Sequence, residues 1–118
     1  MAAYIGEFEQ QLLLVVLRLG ADAYGVEIAR ELEACAGRRV SKGALYATLD
    51  RLEDKGLVRW KVAHGTEVRG GLPRRAYTVT ASGLATLRAS RDTLRRLWRG
   101  IEHLLKEPTT LSRSALRG

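Results

Sequence analysis

Cysteine occurs once in this sequence, at Cys35, and histidine twice, at His64 and His103. One thiol cannot close an intramolecular disulfide, and one thiol with two widely separated imidazoles cannot assemble a structural zinc site. Neither a metal nor any other cofactor is expected. The same poverty argues against catalysis, which needs titratable groups paired in a pocket. The two histidines stand 39 positions apart, and Cys35 falls on the face of a helix expected to be buried. Gly70-Gly71 is not followed by the lysine or the spaced glycines of a phosphate-cradling loop. An enzyme is therefore not expected. Long apolar runs are missing too: Leu12 to Leu17 is six residues, against roughly 20 for a membrane-spanning helix. Glu7 and Glu9 stand where a secretory signal would carry basic residues. The expected location is cytoplasmic.

What the 118 residues do contain is an ordinary hydrophobic share of 46% with 28% charged residues, enough for one folded domain. Lysine and arginine number 20 against 13 acids, giving +7 and an isoelectric point near 10.2. Such an excess favours a polyanionic partner. Its distribution narrows the reading: residues 1–37 carry two arginines and six acids, whereas residues 38–118 carry 18 basic groups and seven acids. An acidic supporting half thus precedes a basic half suited to meeting the partner.

Hydrophobic spacing predicts a first helix from about Gly6 to Leu19, with Phe8, Leu12, Val15, Val16 and Leu19 on one face. Leu13, Leu14 and Leu17 widen that surface, which suggests burial on more than one side, partly by a second subunit. A second helix runs from Tyr24-Gly25 to about Ala36, with Ile28, Ala29, Leu32 and Cys35 inward. After the basic turn Arg38-Arg39-Val40, Ser41 is a good cap for a third helix ending near Lys55, with Leu45, Leu49 and Leu52 as its buried stripe. The period then changes. Leu57 to Ala63 reads as a strand, His64 to Pro73 as a loop, and Arg75 to Thr80 as the return strand. Thr80 can cap a last long helix reaching about Lys106, with Pro108 beyond it.

The order of helix, helix, helix, strand, strand, helix is that of a winged helix followed by one further helix. The stretches YGVEIARELE, VSKGALYATLDRLEDKGLV and RRAYTVTASG resemble the PadR family of transcriptional regulators, and the pattern GxLYxxLxRLExxGLV is met from Gly43 to Val58. The resemblance covers about residues 6–106. It implies a mainly α fold with a small β-hairpin: a winged helix-turn-helix over 1–80, a C-terminal dimerisation helix over 81–107 packing with helix 1, and a tail over 108–118 expected to be disordered. The single final helix matches the short branch of that family.

On this reading the third helix enters duplex DNA. With the leucines inward, Gly43, Ala47, Asp50 and Asp54 lie opposite, with Tyr46 and Arg51 on the flanks. Ser41 and Lys42 open the helix, where recognition helices meet DNA. Asp50 and Asp54 should repel it, so the first two turns are expected to insert. Candidate DNA contacts are Arg38, Arg39, Ser41, Lys42, Gly43, Tyr46, Arg51, Lys61, Arg69, Arg74 and Arg75. Lys42 is the expected base reader, and Arg74 with Arg75 the strongest phosphate pair of the wing. The alternatives are a solvated helix face and a charged edge that discourages strand pairing.

In the last helix Leu84, Leu87, Leu94, Trp98, Ile101 and Leu105 follow steps of 3, 7, 4, 3 and 4, a heptad seam broken at Arg91. The expected homodimer interface comprises Phe8, Leu12, Val15, Leu87, Leu94, Trp98, Ile101 and Leu105. Trp98 is also a candidate ligand contact, since the resemblance implies a small aromatic effector at such an interface. A packing tryptophan is the simpler account. The expected function is sequence-specific binding of double-stranded DNA at a pseudo-palindromic operator by a homodimeric repressor released by a signal the sequence does not name. The alternative is a winged-helix protein-interaction module without specific DNA binding.

Overall fold

Short helices in this chain stop where backbone or side-chain geometry makes them stop. The computed structural model describes residues 4–63 and 74–106. Helix α1 spans Glu7–Leu19. Its first turn is closed by Glu9, whose carboxylate accepts the Gly6 N–H at 3.1 Å. A 3-10 turn at Gly20–Asp22 leads into α2, Gly25–Ala36. Helix α3 covers Lys42–Asp54, and the Ser41 hydroxyl accepts the Ala44 N–H at 3.1 Å as expected of a cap. Gly56 follows at φ +76°, a conformation that costs a residue without a Cβ little and that turns the chain into the hairpin.

The strands β1, Val58–Val62, and β2, Arg75–Val79, pair antiparallel with Val58 opposite Val79, Trp60 opposite Tyr77 and Val62 opposite Arg75. The Tyr77 N–H also donates to the Ala23 carbonyl at 2.9 Å, so the link between α1 and α2 extends the hairpin edge. Helix α4, Ala81–Trp98, starts at Thr80, whose hydroxyl accepts the Gly83 N–H at 3.0 Å and donates to the Gly56 carbonyl at 2.7 Å. Gly83 is buried where a Cβ would run into the Leu57 carbonyl oxygen and a Val79 methyl, so α4 rests directly on the chain entering β1.

Leu12, Leu13, Ile28, Leu32, Leu49 and Leu52 are fully buried between the three helices, with Val58, Tyr77 and Val79 of the hairpin closing one side. A charged pair joins the ends of this core: Lys55 Nζ donates to both Glu9 carboxylate oxygens at 2.9 Å. Burial pushes the Glu9 carboxyl up, but the hydrogen bonds from Lys55 and the Gly6 N–H outweigh that and hold it below the ordinary carboxylate range.

Three expectations need correction. The last α-helix ends at Trp98, not near Lys106: Gly100 takes φ +87°, interrupting the hydrogen-bond ladder, and a 3-10 turn follows at Glu102–Leu105. Cys35 is exposed, because α2 meets the core through Ile28 and Leu32 while its last turn projects beyond it. Leu12, Val15 and Leu87, expected at the dimer interface, are buried in the core of the chain itself, so the apolar face of α1 that remains outside is Leu14 and Leu17. The expected tail over 108–118 lies outside the described residues. No helix among the described residues is long and apolar enough to cross a membrane. Three helices and an antiparallel hairpin, with α3 packed beside β1, make a winged helix.

Candidate nucleic-acid interface

The outer face of α3 is made by Gly43, Ala47, Asp50 and Asp54, all exposed, because Leu45, Leu49 and Leu52 hold the opposite face against the core. Two small residues in that row allow the backbone to come close to a groove floor. Ser41 is exposed and uses its hydroxyl as the cap. Lys42 makes no hydrogen bond or ion pair among the described residues, which leaves its ammonium available at the leading end of the helix. Tyr46 is half-buried, and its hydroxyl fills the space that a Cβ at Gly25 would take. That contact seats α3 against the first turn of α2.

Strand alternation divides the wing cations between two faces. Trp60, Tyr77 and Arg75 share the face that looks toward α3, and the Arg75 guanidinium lies 4.2 Å from the Trp60 ring centroid. From there its Nη1 reaches to 4.0 Å from Asp50 Oδ1, linking wing and recognition helix. Burial pushes the Tyr77 phenol up, with the Arg75 charge acting against it. Arg59 and Lys61 point to the other face, exposed and without a partner among the described residues.

The remaining expected contacts are already engaged. Arg74 Nη2 donates to Glu27 at 2.6 Å, and its guanidinium sits 3.8 Å from the Tyr24 ring centroid. It is largely buried and ties β2 to the start of α2, so its guanidinium already has partners within the chain. Arg38 lies over the Phe8 ring at 4.8 Å and 3.8 Å from Glu7, so it turns toward α1. Arg39 pairs with Glu33 at 2.8 Å but keeps its side chain 90% exposed. Arg51 donates to the Thr48 hydroxyl at 3.1 Å. Arg69 lies outside the described residues. Residues that spacing did not single out as a set are Asp50 with Arg75; their meeting depends on the hairpin register, which local periodicity does not specify.

A second surface lies between α1 and α4. Leu14 and Leu17 of α1 and Leu84, Leu94 and Trp98 of α4 line an open groove of about 880 Å³, which Leu105 also lines. Arg88, Arg91, Arg95 and Arg99 run along it. Trp98, Leu94, Ile101 and Leu105 of the expected interface are all substantially exposed, whereas Phe8 is half-buried against the core.

Cys35 offers no activated nucleophile. Its thiol donates to Glu31 at 3.2 Å, and that hydrogen bond pushes its pKa up. No group of three or more metal-ligating side chains occurs among the described residues.

A helix with an open outer face, capped at its N-terminus and flanked by a cationic hairpin, defines the winged-helix class of nucleic-acid-binding domain. The chain belongs to the PadR-like family of transcriptional regulators, whose family pattern matches residues 13–89. It is 38% identical over 90 residues to a transcriptional regulator of Mycobacterium tuberculosis, covering 75% of this chain and 79% of that one. Among solved structures it is similar to a PadR-like transcription factor from Bacteroides fragilis, with a TM-score of 0.63, 26% identity, and coverage of 82% of this chain and 88% of that one. It is also similar to a PadR family regulator from Eggerthella lenta, with a TM-score of 0.56, 31% identity, and coverage of 82% and 85%.

Proposed function

We propose that this protein is a homodimeric repressor that binds double-stranded DNA at a pseudo-palindromic operator in the cytoplasm. The observation carrying this reading is the junction of α3 and the wing, where Arg75 reaches to 4.0 Å from Asp50 on the exposed face that Gly43 and Ala47 share. In this reading Lys42 reads base edges, while Arg75, Lys61 and Arg39 contact phosphates. Leu14, Leu17, Leu94, Trp98, Ile101 and Leu105 meet a second copy, setting two recognition helices into successive major grooves about one helical turn apart. So small a dimer acts chiefly by occupying its site. A signal that releases it, such as a small aromatic molecule against Trp98, would act at the same subunit seam.

The test is selection of bound duplexes from a random pool by the full chain, followed by titration of the enriched duplex at several salt concentrations. An inverted repeat should be enriched. Its affinity should fall steeply with salt, by about one logarithmic unit of slope per phosphate neutralised. A pool left unenriched, with the protein folded, would leave the protein-interaction module as the better account.

A further inference from the structure

We propose that Asp50 is a base-reading residue, its carboxylate accepting a hydrogen bond from the exocyclic amine of a cytosine, with Arg75 as the counter-ion that lets it stand among phosphates. The proposal rests on the DNA-binding reading above and names a specificity-determining residue within it.

A carboxylate on the outer face of a recognition helix ought to repel DNA, and by charge alone Asp50 would mark the end of the inserted segment. Its surroundings change that. Arg75 lies over the Trp60 ring and reaches to 4.0 Å from Asp50 Oδ1, so a positive charge stands beside the carboxylate where the third turn of α3 meets the wing. At 4.0 Å the contact is an ion pair without a hydrogen bond. No hydrogen bond to Asp50 forms among the described residues, and the side chain is 59% exposed. The pair offsets part of the carboxylate's charge and leaves its acceptor sites open.

Placement agrees with this role. Gly43, Ala47 and Asp50 occupy one exposed face, with Lys42 exposed at the leading end of the helix, and Lys42 to Asp50 spans about 12 Å of helix axis. The spacing between base pairs is about 3.4 Å, so both ends of that span stay within three to four steps. Ala47 and Gly43 bring the backbone near enough for a side chain as short as aspartate to reach a base edge.

The chemistry selects the base. An ionised carboxylate only accepts. In the major groove guanine offers two acceptors, and thymine an acceptor and a methyl group, so neither suits it. Adenine places its amine beside the N7 acceptor, which disfavours an anion and suits an amide. Cytosine presents an amine donor.

The experiment is selection from a random duplex pool by the full wild-type chain and by Asp50→Ala and Asp50→Asn, with thermal melts to show that each variant is folded. The wild type should enrich a cytosine at one position of each half-site, and replacing that cytosine by thymine should weaken binding roughly 5-fold or more. Asp50→Ala should lose the preference at that position alone, and Asp50→Asn should move it toward adenine. An Asp50→Ala profile identical to the wild type, or one that merely binds every sequence more tightly, overturns the proposal while leaving the DNA-binding reading in place. A wild type that enriches no motif removes both.

Discussion

Arg74 closes on Glu27 at 2.6 Å with its guanidinium 3.8 Å from the centre of the Tyr24 ring, so the return strand of the wing is fastened to the start of α2. Arg74→Ala should therefore act first on stability. Loss of the charge-assisted hydrogen bond and the cation–π contact should cost about 1–2 kcal/mol, seen as a lower melting temperature. Arg75→Ala, which removes only a half-exposed cation–π contact and a screened ion pair, should cost less, about 0.5–1 kcal/mol, and reduce the salt slope of DNA binding by about one unit. Equal effects of the two variants on the slope would return Arg74 to the phosphate contacts.

Tyr46 and Gly25 should behave as one unit. Gly25→Ala places a methyl group where the Tyr46 hydroxyl lies, and overpacking of this kind costs about 1–3 kcal/mol. In a Tyr46→Ala background the same substitution should cost much less. Denaturant melts of the four-member cycle measure this coupling, and additive losses would show that the contact does not seat α3 on α2.

Acid should loosen the junction of α1 and α3. The Glu9 carboxyl is held below its ordinary value of 4.5 in the folded chain, so the unfolded chain takes up that proton more readily. The stability contributed by the Glu9–Lys55 pair is complete above that value and is lost as pH falls through the depressed folded value. Glu9→Gln should be less stable than wild type at neutral pH and should show a flatter decline of melting temperature from about pH 5 to about pH 3. Parallel curves for the two proteins would exclude this carboxylate as the source.

The apolar residues of α1 should separate into two classes. Leu12→Ala, in the core, should cost about 2–5 kcal/mol. Leu14→Glu and Leu94→Glu lie in the open groove and should leave the fold intact while giving a monomer by light scattering. A two-half-site duplex should then bind on the order of 100-fold more weakly, through loss of avidity. An intact dimer would move the interface elsewhere.

Element order was readable because its signals are local. Ser41 and Thr80 cap α3 and α4, and Gly56 turns the chain between α3 and β1, as their residue types require. Periodicity failed where two stripes compete. α1 is apolar on nearly every side, and spacing cannot say that Leu12 and Val15 face the core while Leu14 and Leu17 face outward. The heptad of the last helix runs past Gly100, and its continuity hid the break there. Charge counting likewise treated every arginine as free. Arg74 and Arg38 are held by Glu27, Tyr24, Glu7 and Phe8, partners brought together only by tertiary packing.

The seat of α4 on the Leu57 carbonyl has a consequence for how such a regulator can diversify. Under the dimeric reading α4 carries the seam between subunits, and a glycine at position 83 lets it lie so close to the hairpin. A bulkier residue there would tilt the whole rod and spread or narrow the gap between the two reading heads, with every base-contacting side chain left as it was. Under that reading operator spacing and operator sequence would be governed by separate parts of the chain, and each could drift without disturbing the other.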